Sequence, residues 1–175
     1  DAGFIYNIEH VSVELAGFVN SIQNFIFLEK LSSVHGGDSI VDPFDPVPVY
    51  QFTQGNSLLY GGEIILDIHP HPLDWLHFEN SFSYVRGIQL NQPDSTRNLP
   101  QIPAPEYRME LRGDFNNWGN IVKNIFLKIE WQYTFAQNFV FLSENTETPT
   151  HAYNLFNVGV GGNFVNRKGN TILTL

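Results

Sequence analysis

The sequence predicts an all-β fold, an antiparallel up-and-down meander that forms part of a large transmembrane β-barrel. Three observations predict it. Apolar and polar residues alternate with period two through runs of about 10 residues or more, where strands of soluble proteins average about 5–6. The polar face of these runs carries charge, and the connections between them alternate between long and short.

The runs follow one another in order. In the first, Val11, Val13, Leu15, Gly17 and Val19 share a face, opposite His10, Ser12, Glu14, Ala16 and Asn20. In the second, Leu58, Tyr60, Gly62, Ile64, Leu66 and Ile68 alternate with Gly61, Glu63 and Asp67. The third sets Leu76, Phe78, Phe82 and Tyr84 against His77, Glu79, Ser81 and Ser83. The fourth sets Tyr107, Met109, Leu111, Gly113 and Phe115 against Arg108, Glu110, Arg112 and Asp114. The fifth sets Ile125, Leu127, Ile129, Trp131, Tyr133 and Phe135 against Lys128, Glu130, Gln132 and Thr134. The sixth sets Phe156, Val158, Val160 and Phe164 against Asn157, Gly159, Gly161 and Asn163. Successive side chains of a strand point to opposite faces, so each run is a strand with one apolar and one polar side. About 9–11 tilted residues cross a bilayer, which these lengths satisfy.

The polar face separates a membrane barrel from a small soluble one. Arg108, Glu110, Arg112 and Asp114 fill four consecutive positions on it. A small soluble barrel fills its interior with apolar side chains, whereas a large membrane barrel has a wet lumen that accepts charge. The connections agree. Long segments, 27–49, 88–105 and 142–152, alternate with short ones at 69–74, 116–120 and 166–170. The short ones carry the Pro, Asn and Gly of tight turns. Long loops on one side and short turns on the other is the outer-membrane arrangement. Aromatics near the strand ends (Phe25, Phe27, Tyr50, Phe52, Trp75, Trp118, Phe139, Phe141 and Tyr153) are candidates for the interfacial girdles. The closing stretch Thr171-Ile172-Leu173-Thr174-Leu175 reads as half of a further strand. The expectation is therefore one partial barrel domain over 1–175, with six complete strands and a truncated one. An open sheet edge cannot sit in lipid, so other segments must complete it.

Composition bounds the function. Hydrophobic residues are 42%, aromatics 14% and charged residues 15%, with a mean hydropathy of −0.15. A net charge of −9 argues against a nucleic-acid partner, whose phosphates need a basic patch. The absence of Cys excludes disulfides and thiolate metal sites. No G-x-S-x-G elbow or P-loop occurs, and the expectation is that the protein is not an enzyme. His10 with Ser12, His77 with Ser81, and the carboxylates Glu79 and Glu130 are formal catalytic candidates that nothing in the spacing singles out.

Five stretches then carry a resemblance. They are Phe18-Val19-Asn20-Ser21-Ile22-Gln23-Asn24-Phe25-Ile26, Tyr60-Gly61-Gly62-Glu63-Ile64-Ile65-Leu66, His71-Pro72-Leu73-Asp74-Trp75-Leu76, Asn98-Leu99-Pro100-Gln101-Ile102-Pro103 and Tyr153-Asn154-Leu155-Phe156-Asn157-Val158-Gly159. In order and spacing they resemble the late barrel of TonB-dependent outer-membrane receptors. The resemblance implies a 22-stranded barrel of the bacterial outer membrane, a plug domain, and energised import of a scarce nutrient of the metal-chelate, haem or cobalamin class. It implies as partners the outer-membrane lipid, the rest of the barrel, the plug, TonB and the small imported ligand. It places the plug, the TonB-contacting segment and the final strand outside these residues. The alternative expectation is a soluble β-sandwich or lipocalin-like ligand-binding module.

Candidate binding residues are few. His35, Asp38 and His151 lie in long connections, where an incoming ligand makes first contact. No cofactor and no metal site is expected. His69 and His71 interleave with Pro70 and Pro72, which reads as turn structure. His77 and Glu79 share a polar face, which reads as luminal hydrogen bonding. Asp38, Asp42 and Asp45 depart from the calcium-loop spacing and are broken by Pro43 and Pro46. Arg108, Glu110, Arg112 and Asp114 are expected to form salt bridges with neighbouring strands and to hold a plug. A charge on the apolar face, as in Leu127→Arg, is expected to cost about 2–4 kcal/mol at the bilayer midplane.

Overall fold

The computed structural model describes residues 1–30, 39–40, 47–48, 50–90, 97–118, 122–141, 147–166 and 169–174. Its strands are β1 (Ala2–Ile8), β2 (Val11–Lys30), β3 (Ser39–Ile40), β4 (Val47–Pro48), β5 (Tyr50–Ile68), β6 (Leu76–Gln89), β7 (Glu106–Trp118), β8 (Val122–Thr134), β9 (Tyr153–Asn166) and β10 (Gly169–Thr174). Eight form one antiparallel sheet in the order β1-β2-β5-β6-β7-β8-β9-β10. The remaining two, β3 and β4, form a small hairpin within the connection from β2 to β5. Every hydrogen-bonded neighbour is thus the next long strand in the chain, as an up-and-down meander requires.

Each expected run is a strand, and most are longer than the alternation shows. The run at 11–20 is the lower half of a 20-residue strand, and the run at 58–68 belongs to a 19-residue one. In β2 the reason is a register shift between Ile22 and Phe25, where Asn24 takes φ 57. A bulge leaves a residue unpaired, so the side-chain alternation slips and the period is lost beyond it. A second shift, between Lys123 and Phe126 with Asn124 at φ 50, hides the start of β8 in the same way. The expected count of six strands and a stub is corrected by β1. Its sequence, Ala-Gly-Phe-Ile-Tyr-Asn-Ile, is apolar on both faces save Asn7, so no polar contrast marks a period.

The connections keep their alternation. Residues 9–10, 69–75, 119–121 and 167–168 link strands at one end, and residues 31–49, 90–105 and 135–152 link them at the other. A sandwich needs a second sheet over the apolar face. Among the described residues only β3 and β4 lie outside the main sheet. That face stays open instead: Val19, Phe156 and Val158 are 69%, 72% and 70% exposed. Among the described residues the buried hydrophobic side chains are Leu99, Val140 and Phe141, all in the long connections.

Candidate functional site

Residues paired directly across an antiparallel sheet project to the same face. The registers therefore align the polar side chains into rows. One row crosses from β1 to β9 as Asn7, Ser12, Asp67, Glu79, Glu110, Glu130 and Asn157. The next row towards the short turns is His77, Arg112, Lys128 and Gly159.

Four carboxylates side by side repel, and the basic row offsets this. Lys128 Nζ donates to Glu110 Oε2 at 2.8 Å and lies 3.9 Å from Glu130 Oε2. Asn157 Nδ2 donates to Glu130 Oε1 at 2.8 Å. His69 Nε2 meets Asp67 Oδ2 at 2.8 Å. Among the described residues no ion pair reaches Glu79, which stands between Asp67 and Glu110. The expected bridges of β7 are half within the strand itself. Arg112 pairs with Asp114 at 2.9 Å and Arg108 with Glu106 at 3.6 Å, while Glu110 and Asp114 reach β8 and β6 through Lys128 and His77. Positions two apart share a face, so a long guanidinium can fold back to its own strand as easily as across it.

The apolar face carries two aromatic belts. Towards the long connections, the Trp131 ring packs on Tyr107, Tyr133 and Phe156 at 5.6, 6.3 and 6.4 Å between centroids. Trp131 Nε1 donates to Asn154 Oδ1 and Tyr107 Oη to Asn80 Oδ1, so their polar tips are partnered. Towards the short turns, Trp75 stacks on Phe115 at 5.4 Å. Tyr107 and Phe115 are eight positions apart on β7. At about 3.4 Å per residue that is about 27 Å of strand. A tilt of about 35–45° reduces it to about 19–22 Å, close to the apolar band of about 25 Å in outer-membrane barrels. Of the aromatics expected at the girdles, Trp75 serves there. Phe27 and Phe141 instead pack on each other at 6.3 Å, and Phe139 lies over the Arg86 guanidinium at 3.6 Å. The side chains of Tyr50 and Trp118 lie outside the described residues.

The long-connection end holds a polar clasp that strand patterning does not show. Arg86, buried, donates through Nη2 to Asn98 Oδ1 at 2.7 Å, and Asn98 Nδ2 donates to the Val140 carbonyl at 2.9 Å. Glu147 accepts the backbone N–H of Gln101 through Oε1 and that of Phe141 through Oε2. Gln101 sits at φ 60, a left-handed position that this anchored N–H helps to hold. One signal was present in the sequence: Arg86 continues the apolar face of Phe82 and Tyr84, where a charge demands a buried partner.

The candidate ligand contacts are dispersed. His151 is exposed, two positions before β9, at the long-connection end. His35 and Asp38 lie outside the described residues, as do Asp42 and Asp45 of the acidic series. His10 stacks on His71 at 5.4 Å, while Ser12 Oγ donates to Asn7 Oδ1, so His10 and Ser12 are not paired. Glu79 and Glu130 are separated by all of β7. A cavity of about 840 Å³ opens beside β1, β2 and β5 and is lined by Gly3, Ala16, Phe18, Glu63 and Ser83. It lies at the free edge of the sheet, beside β1.

A long-stranded antiparallel meander with one charged and one apolar, aromatic-belted face has the architecture of a membrane β-barrel wall. The chain belongs to the TonB dependent receptor-like, beta-barrel family, which it matches over residues 1–173. Among solved structures, it is similar to the copper transporter OprC, with a TM-score of 0.67 and 20% identity over 94% of this chain. The chain spans 22% of that protein's length. No curated protein matches it in sequence.

Proposed function

We propose that this chain is part of the barrel wall of an outer-membrane TonB-dependent transporter that imports a scarce nutrient. The family match over 1–173 carries the reading. The face polarity supports it: the apolar face suits lipid, and the charged rows suit a wet lumen and a plug held by charge pairs. Glu79, flanked by carboxylates, is the position on this wall best suited to a basic plug side chain. The cargo falls in the metal-chelate, haem or cobalamin class, and the copper named for OprC keeps a metal cargo among them. TonB would act through segments outside these residues. We read the wall as non-catalytic: the separations of His10 from Ser12 and of Glu79 from Glu130 support that.

Uptake of labelled cargo by cells lacking the gene tests the proposal. Uptake falls to background in the deletion strain and equally in a strain without TonB. Unchanged uptake of all three cargo classes in the deletion strain would rule the import reading out.

A further inference from the structure

Connections between strands usually run over the surface with few partners. Residues 135–141, which follow β8, are tied down instead. Three hydrogen bonds zip them along the connection from β6 to β7. Phe135 N–H donates to the Pro105 carbonyl at 2.9 Å, Gln137 Nε2 donates to the Ile102 carbonyl at 2.7 Å, and the Val140 carbonyl accepts from Asn98 Nδ2 at 2.9 Å. The Phe139 ring lies over Arg86 of β6, and Phe141 packs on Phe27 of β2. In the sheet order, β7, β6 and β5 separate β8 from β2. Four strand spacings of about 4.8 Å make about 19 Å, and six residues of extended backbone span about 20 Å. The stretch from Phe135 to Phe141 thus reaches from β8 to β2 with almost no slack. Glu147 closes its far end. The peptide between Val140 and Phe141 is bonded on both sides: its carbonyl accepts from Asn98, and its N–H donates to Glu147 Oε2 at 3.0 Å. Glu147 Oε1 accepts from the Gln101 N–H, which returns the circuit to the connection that holds Asn98. Gln137 and Thr150 exchange both backbone hydrogen bonds, at 3.0 and 3.1 Å, so the chain folds back beside this stretch.

We propose that residues 135–141 are a strap that makes the long-connection end one cooperative unit, which opens as a whole or not at all. Proteins open locally in contiguous units whose buried contacts and hydrogen bonds depend on one another. Each contact of the strap named above has its partner on another segment: the 90–105 connection, β6, β2 or the return at 147–152. Loss of one therefore loosens the rest. Arg86 sits at the centre, buried, with Asn98 held by its Nη2 and Phe139 by the face of its guanidinium. One side chain thus sets both middle contacts of the strap. His151, exposed and next to Thr150, rides on the same unit. A contact made by one long connection is then felt by the others. The proposal concerns the mechanics of this end and is independent of the import reading.

Hydrogen exchange of the full-length protein in detergent, read by mass spectrometry, tests the strap. Glu147→Ala removes the acceptor of two N–H groups, at Gln101 and Phe141. Exchange then speeds up about tenfold in the stretch 97–103. It speeds up by the same factor in 84–90 and 25–29, which lie on other strands. Phe141→Ala, made separately, gives the same pattern from the other end of the circuit. In both variants the wall stretches 107–115 and 127–133 keep their native exchange, which shows that the barrel is folded. Acceleration confined to 97–103 and 135–141 overturns the proposal, because the contacts would then open one by one. So does an equal acceleration of 107–115, because the long-connection end would then be no unit of its own.

Discussion

At the scale of single residues, contacts on this sheet depend on what stands across the strand, and sequence spacing does not supply that. His69 and His71, like His77 and Glu79, are two apart in the sequence, which reads the first two as turn structure and the second two as luminal hydrogen-bonding groups. The fold pairs His69 with His77 and His10 with His71, across a turn and between two turns. Spacing of two does not make neighbours at 69–74, because Pro70 and Pro72 end the extended backbone there, as the turn reading expects. It does in β7, whose charges share one face. Glycines show the same dependence on neighbours. A Cβ on Gly61 would fall well inside contact distance of the Tyr84 carbonyl oxygen and 2.9 Å from the Phe18 ring. A Cβ on Gly17 would meet its nearest atom, the Gly61 oxygen, at 3.7 Å. The backbone cannot move aside for the first without straining the ladder. Gly61→Ala is expected to destabilise the folded wall by about 1–3 kcal/mol, and Gly17→Ala by no more than about 0.5 kcal/mol. Urea titration of both variants refolded into lipid vesicles reads the difference; equal midpoints would show that the Gly61 site relaxes.

At the scale of elements, strands were readable in the sequence where one face is charged and unreadable where it is not. The runs in β7 and β8 stand out because Arg, Glu and Lys alternate with Leu, Ile and Trp. β1 was invisible because Ile5 stands opposite Glu14 and supplies no polarity of its own. The upper half of β2 was lost beyond the bulge at Asn24. The belts now refine where a charge on the apolar face is most costly. Leu111, Ile129 and Val158 are direct neighbours across β7, β8 and β9, and they lie between the two belts. Leu127 is one row nearer Trp75 and Phe115. A buried charge is most costly at the midplane and costs little near the interfaces. Ile129→Arg should therefore destabilise the wall by about 2–4 kcal/mol and Leu127→Arg by less. Unfolding free energies in vesicles decide it, and a larger loss for Leu127→Arg would move the midplane towards the short turns.

At the scale of the whole molecule, the fold inverts the usual relation between hydrophobicity and burial. Leu99, Val140 and Phe141 are buried in the long connections, while the apolar side chains of the strands lie open. The sequence hinted at this through long strands and few charges. It could not show that the long connections build a core of their own, because the clasp of Arg86, Asn98 and Glu147 joins segments up to 46 residues apart. The inversion makes a prediction that covers the whole wall. The chain has no Cys, so single cysteines can be placed at will. Spin labels at successive positions from Leu127 to Tyr133 and from Tyr107 to Phe115 should alternate with period two in their accessibility to lipid-dissolved oxygen. Leu111, Ile129 and Trp131 mark the high positions, and Glu110, Lys128 and Glu130 the low ones. A plug seated against the charged face would lower water access there but would not raise oxygen access, so the alternation survives in the assembled receptor. A soluble sandwich would bury the apolar positions against a second sheet and shield them from the lipid phase. Uniform oxygen accessibility along both strands would exclude the membrane wall, and an alternation of opposite phase would mean that the charged rows face lipid.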